Sequence, residues 1–259
     1  MKRGDAEQAR VAFSLLGVFV IAFALLFFAP WGEHGSLVVS DVAYVICASI
    51  ATIFGVIATR KYGLRSPLGR TLLLLTVTTG LDAVAGIIWA TYEIGLGILN
   101  PFPSIADAIW ALFYVAAIAA LWLALKKVWT QIPLVTKLTT VIIWMLLFLS
   151  VYSFAIAPQV NDTSISLVQK LAGLQYPVGD LILLLLCALL FTTLHRGVFG
   201  AGWFAFLVGL SLYSIADLAY SYGLWAETYK SGSLLDVLWF AGQLLWAYAF
   251  YLHLQFTKN

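Results

Sequence analysis

What this chain has least of is charge. Charged residues make up 10% of its 259 residues against 63% apolar, and its mean hydropathy is +0.97, whereas soluble domains carry about a quarter charged residues. That scarcity excludes a water-soluble globular domain and predicts an integral membrane protein, for which spans are counted before domains. Cysteine is nearly absent. Cys47 and Cys187 both fall inside apolar runs, so neither a disulfide framework nor a cysteine metal site is expected. The three histidines are divided, with His34 towards one side and His195 and His253 towards the other. A three-histidine zinc site is therefore not expected, and His34 reads as a solvated loop residue or as an added ligand beside nearby aspartates. The sequence has no glycine-rich phosphate loop, no His-Glu-x-x-His pair and no Gly-x-Ser-x-Gly elbow. No lysine lies in the membrane interior of an apolar run, Lys126 and Lys137 being at run ends, which argues against a Schiff-base retinal protein. Nucleic acid is not an expected partner, because membrane topology already explains the basic loops. No cofactor is indicated.

What is present is long apolar runs. Eight are long enough to cross about 30 Å of hydrocarbon as helices: 10–30, 37–59, 67–92, 103–126, 135–157, 172–194, 202–224 and 234–256. Helix is the expected form, since lipid offers the backbone no hydrogen-bond partners. The first run follows a short charged stretch and lacks a small-residue cleavage pattern, so it is expected to be retained. Lys2, Arg3, Arg10, Arg60, Lys61, Arg65, Arg70, Lys126, Lys127, Lys137, Arg196 and Lys258 fall on the side that holds both termini, and only Lys170 and Lys230 on the other. The positive-inside rule then places both termini in the cytoplasm of a multi-pass cell-membrane protein. Most acidic residues show the reverse bias. Asn161-Asp162-Thr163 is a glycosylation sequon on the expected outer side.

The runs repeat after four. Spans 1 and 5 end at Ala-Pro, in "FALLFFAPWGE" and "VYSFAIAPQVND". Spans 2 and 6 pair Asp41 with Asp180, through "VVSDVAYVIC" and "YPVGDLILLLLC". Spans 3 and 7 pair Asp82 with Asp217, and spans 4 and 8 pair "PSIADAIW" with "GSLLDVLW", aligning Asp107 with Asp236 and Trp110 with Trp239. The expected fold is an all-α membrane protein of eight transmembrane helices, a tandem parallel repeat of two four-helix units (1–130 and 131–259) in one integrated membrane domain.

An aspartate at the centre of a membrane helix costs about 2.5–3.5 kcal/mol, so each needs an account. Ser104 with Asp107, and Ser233 with Asp236, have the spacing of capping boxes at the starts of spans 4 and 8. Asp41 after Ser40, and Asp180 after the Pro177-Val178-Gly179 turn, are likewise read as helix starts. For all four, capping stands against a place in a binding site. Asp82 and Asp217 lie about fifteen residues into their spans, where no cap exists, and either line an outward-facing pocket or bind helices together. Glu93, Glu227 and Tyr220 accompany them, and Gln243, on the helical face of Asp236, can donate its amide to one of these carboxylates. Trp31, Trp89, Trp225 and Tyr229 are read as an interfacial aromatic belt.

The run "GLSLYSIADLAYSYGLWAETYKSGSLLDVLWFAGQLLWAYAF", with "PFPSIADAIWALFY" and "YPVGDLILLL", resembles the multi-helix membrane regions that precede diguanylate cyclase and histidine kinase domains in prokaryotic sensors. The similarity covers residues 81 to the end. It implies a sensing module, and because only "LQFTKN" follows span 8, a separate cytoplasmic or membrane signalling partner is expected. The expected ligand is a small cation or a lipid, held in an outward-facing acidic pocket around Asp82 and Asp217. Three other readings stay open: an intramembrane lipid-modifying enzyme using paired aspartates, a transporter, and a structural subunit of a membrane complex.

Overall fold

The computed structural model describes residues 3–28, 31–194 and 200–255, with side chains from residue 10 onward. Lys2, His195, Arg196, Lys258 and the Ala29-Pro30 pair, all used in the sequence reading, lie outside the described residues. Eight long helices carry the rest: α1 (Arg3–Phe28), α2 (Gly32–Tyr62), α3 (Pro67–Ala90), α4 (Ile105–Val128), α5 (Leu134–Val151), α6 (Leu167–Leu194), α7 (Gly200–Trp225) and α8 (Asp236–Gln255). α3 runs on into a π turn, Thr91–Gly95, and α5 continues through another, Tyr152–Ile156, into a short helical stretch, Ala157–Asn161. All eight are long and apolar enough to cross a bilayer, and no strand occurs among the described residues. The chain is a multi-span membrane protein, and helix is the form that lets a span pair its backbone polar groups within itself.

Local sequence sets the helix ends. Pro67 opens α3 with its φ already suited to a first turn, and the Ser66 hydroxyl accepts from the Gly69 N–H. α2 stops at Gly63, whose φ of 67° turns the chain while its N–H donates to the Thr59 carbonyl. α4 starts in a complete capping box between Ser104 and Asp107. α8 starts differently, at Asp236 itself, whose carboxylate reaches back to accept from the Gly232 N–H at 2.7 Å and the Ser233 hydroxyl at 3.3 Å.

Asp41 and Asp180 are not helix caps. α2 begins at Gly32 and α6 at Leu167, so both aspartates sit inside continuous helix, and Pro177 is accommodated within α6. In water a Tyr-Pro-Val-Gly stretch favours a break. In a bilayer an unwound backbone costs several kcal/mol per unpaired group, so the helix continues past its proline.

Six of the helices form a closed ring in the order α2, α3, α4, α6, α7, α8 and back to α2. α1 packs outside the seam between α8 and α2, and α5 packs outside α6. These two are the least buried spans, at 17% and 11% of their most apolar windows, against 39% or more for the ring helices. Aromatic side chains fill the ring: Phe113 of α4 stacks on Tyr213 of α7 at 5.2 Å between centroids, and Trp246 of α8 lies 5.0 Å from Tyr213. α7 and α8 cross closely at Gly209 and Gly242, where a Cβ on either would come within 2.7 Å of the other's carbonyl oxygen. In lipid such close backbone packing, rather than hydrophobic burial, holds helices together. One end of the bundle carries Arg60, Lys61, Arg65, Arg70, Lys126, Lys127 and Lys137; the other carries the connections 96–104, 162–166 and 226–235.

Candidate functional site

Six aspartates, all buried, converge in the half of the ring nearest the connections 96–104 and 226–235. Asp82 of α3 is completely enclosed and has four donors from four helices. Its Oδ1 accepts from the hydroxyls of Tyr44 (2.5 Å) and Tyr213 (2.6 Å) and from Trp110 Nε1 (3.2 Å), and its Oδ2 accepts from Gln243 Nε2 at 2.8 Å. Tyr44 and Tyr213 also lie 2.6 Å apart, oxygen to oxygen. Asp217 of α7 accepts from Trp239 Nε1 at 2.7 Å and from the Tyr114 hydroxyl at 2.8 Å. That same hydroxyl is 3.1 Å from Asp180 Oδ2, so a single proton serves two carboxyl groups.

The partners are arranged reciprocally. Trp110 of α4 donates to Asp82 of its neighbour α3, and Trp239 of α8 donates to Asp217 of its neighbour α7. One helical turn further on, each of these helices reaches across the ring: Tyr114 to Asp217, and Gln243 to Asp82. The helix-start aspartates are tied to adjacent helices of the ring. Asp107 accepts from Tyr176 of α6 at 2.5 Å, and Asp236 from Ser40 of α2 at 2.5 Å. Two glycines make room for the tyrosines. A Cβ on Gly86 would come within 2.7 Å of the Tyr44 ring, and one on Gly179 would overlap the ring of Tyr114.

Above this network lies a cavity of about 50 Å³, room for a few waters or one small polar head. Its wall consists of three tryptophans, five tyrosines, Ser40, Gly86 and the carboxyls of Asp41, Asp217 and Asp236. The rings meet edge to face: Trp89 on Tyr220 at 77°, Tyr220 on Tyr229 at 85°, and Tyr229 on Trp239 at 80°. Among the described residues no lysine, arginine or histidine lines it. Two wall atoms in side chains more than nine-tenths buried have no hydrogen-bond partner, Asp41 Oδ2 and the Tyr220 hydroxyl. Asp41 lies beside Glu93, with which it shares a hydrogen bond when one of the two carries a proton, and beside Asp236. In the connection between α7 and α8, burial beside Asp236 pushes the Tyr229 hydroxyl well above the usual phenol value, so it stays protonated and donates to Asp236 at 3.2 Å.

The residues expected at the site divide three ways. Asp217 and Tyr220 are on the cavity wall. Asp82 and Gln243 lie beneath it, locked in the network, and Glu93 is buried with Oε1 accepting from the Asn100 N–H at 2.9 Å. Glu227 is exposed at positive φ in the turn after α7 and joins none of them. Trp89 and Tyr229, expected in an interfacial belt, are wall residues, whereas Trp31 and Trp225 are exposed. Tyr44, Tyr114 and Tyr176 are donors that were not among the residues expected at the site. Tyr114 follows Trp110 by one helical turn, as Gln243 follows Trp239, and that shared offset was the available signal. His34 is exposed, and among the described residues no group of three histidine, cysteine or acidic side chains is placed to hold a metal ion. No protein-family model matches the chain, and no characterised protein or solved structure matches it significantly.

Proposed function

We propose that this protein is a ligand-sensing module of the cell membrane, built as a tandem parallel repeat of two four-helix units, 1–130 and 131–259, with both termini cytoplasmic. The repeat draws support from the ring order, in which α2, α3 and α4 are followed by α6, α7 and α8 in the same sequence, with α1 and α5 outside. It draws more from the reciprocal hydrogen bonds, because each unit supplies a donor to the other's central aspartate. The orientation follows from the basic end of the bundle, which the positive-inside rule assigns to the cytoplasm, so that the cavity faces outward.

The observation that carries the sensing role is the position of the cavity. It sits on the seam of the two units and shares Tyr44, Tyr213 and Asp217 with the network that joins them. Anything that alters those hydrogen bonds alters how the units pack. The helix ends at the basic side then report the change to a cytoplasmic or membrane partner. Spin labels at Arg65→Cys and Ala201→Cys, one exposed position per unit at the basic end, read this packing directly. Replacing both Asp82 and Asp217 by Asn is expected to shift or broaden the inter-label distance distribution. An unchanged distribution would reduce the network to passive glue between helices.

A further inference from the structure

Resting on the reading of the cavity as a ligand site, the geometry points to its ligand class: we propose that it takes the head of a protonated alkylamine, an ammonium group that keeps N–H donors. Three independent features of the wall converge on this chemistry. The first is charge, since Asp41, Asp217 and Asp236 all border the cavity and no cationic side chain among the described residues does. Buried carboxylates without a protein counter-charge are neutralised either by taking up a proton or by a cation from outside. The second is the aromatic wall. Faces of tryptophan and tyrosine attract ammonium groups through the ring quadrupole, and the edge-to-face packing of Trp89, Tyr220, Tyr229 and Trp239 turns neighbouring rings in different directions, as the sides of a cage require.

The third feature decides between kinds of cation. A hard metal ion needs several oxygen ligands, and no group of three acidic or histidine side chains among the described residues is placed to supply them. A quaternary ammonium has no N–H and would leave Asp41 Oδ2 and the Tyr220 hydroxyl without partners, as they are now. An alkylammonium donates to both while its first carbons rest on the rings, and a volume of about 50 Å³ admits the head and a short stem only. The amine is either free or the headgroup of an aminolipid, and the two sources share this chemistry.

The test uses the full chain in phosphatidylglycerol nanodiscs, titrated calorimetrically with ethylammonium chloride and with tetramethylammonium and sodium chlorides at matched ionic strength. Ethylammonium is expected to bind, sodium not to bind, and tetramethylammonium to bind more weakly than ethylammonium. Asp41→Asn should weaken ethylammonium binding about tenfold or more, the loss of one charge-assisted hydrogen bond, while keeping the side chain's size and supplying an amide that can donate to Glu93. Trp89→Leu keeps an apolar wall without the ring face, and should also weaken ethylammonium relative to wild type. Should Asp41→Asn fail to fold, the Trp89 variant and the tetramethylammonium comparison decide the matter alone. Ethylammonium binding no better than sodium, tetramethylammonium binding as tightly as ethylammonium, or full affinity in a folded Asp41→Asn variant would each overturn the proposal. Adding phosphatidylethanolamine to the discs separates the sources: a suppressed ethylammonium titration identifies the lipid headgroup as occupant, and an unchanged one identifies the free amine. Failure to bind ethylammonium, with inter-label distances that still respond to the Asp82 and Asp217 substitutions, would remove the ligand class and leave the sensing role standing.

Discussion

At the scale of single residues, the site depends on tyrosines whose reach was bought by glycine. Tyr114 bonds to both Asp180 and Asp217 only because position 179 has no side chain, and Tyr44 reaches Asp82 only because position 86 has none. Gly179→Ala must therefore displace the Tyr114 ring, at a cost of about 1–3 kcal/mol for overpacking plus what the lost hydrogen bonds contribute. Paired with Tyr114→Leu, the same substitution should cost much less, since the ring it strikes is gone. A double-mutant cycle on unfolding in mixed micelles measures that coupling, and strict additivity would show that the glycine has no steric role. The aspartates were legible in the sequence because charge is so rare in it. Their donors were not, because tyrosine and tryptophan serve equally as membrane belts, core packing and hydrogen-bond donors.

At the scale of elements, the spans were legible and several of their starts were not. Length and hydropathy locate eight helices, and the Ser104–Asp107 box marks one start correctly. Asp41 and Asp180 were misread because proline, glycine and serine signal helix ends in water, whereas lipid penalises any unwound turn. The capping box at α4 also does more than start a helix. Asp107 accepts the Tyr176 hydroxyl of α6, while the Ser104 side chain serves only its own helix start. Ser104→Ala should cost about 1 kcal/mol, as an ordinary cap does. Asp107→Ala should cost clearly more, because it also orphans a buried phenol between helices. Equal losses in the same unfolding assay would mean that the bond to α6 contributes nothing.

At the scale of the whole molecule, periodicity does not reveal which helix neighbours which. In a soluble bundle the apolar stripe of each helix points to the core, but here both lipid and core are apolar, so that signal fades. The proposed internal repeat would compensate in part, since it puts like elements in like places. The ring order itself came only from the structure. Orientation is open to direct measurement with a membrane-impermeant thiol reagent. Cysteines at Thr163 and Lys230 should label on intact cells, and cysteines at Arg65 and Gln131 only after permeabilisation. Native Cys47 and Cys187 are buried and should stay silent in both conditions. The opposite labelling pattern would invert the assignment.

The ring closes at two seams, and they are fastened unequally. Where α2 meets α8, Ser40 bonds to Asp236 near the cavity, and at the far end Tyr62 and Lys61 donate to the carbonyls of His253 and Leu254. Where α4 meets α6, the side-chain hydrogen bonds among the described residues are confined to the cavity half, from Tyr176 and Gln175 to Asp107 and from Tyr114 to Asp180. A closed loop of rods pinned along one joint and at only one end of the other behaves as a hinge facing a latch. On the proposed sensing role, this fastening predicts that a movement begun at the cavity parts α4 and α6 at the basic end.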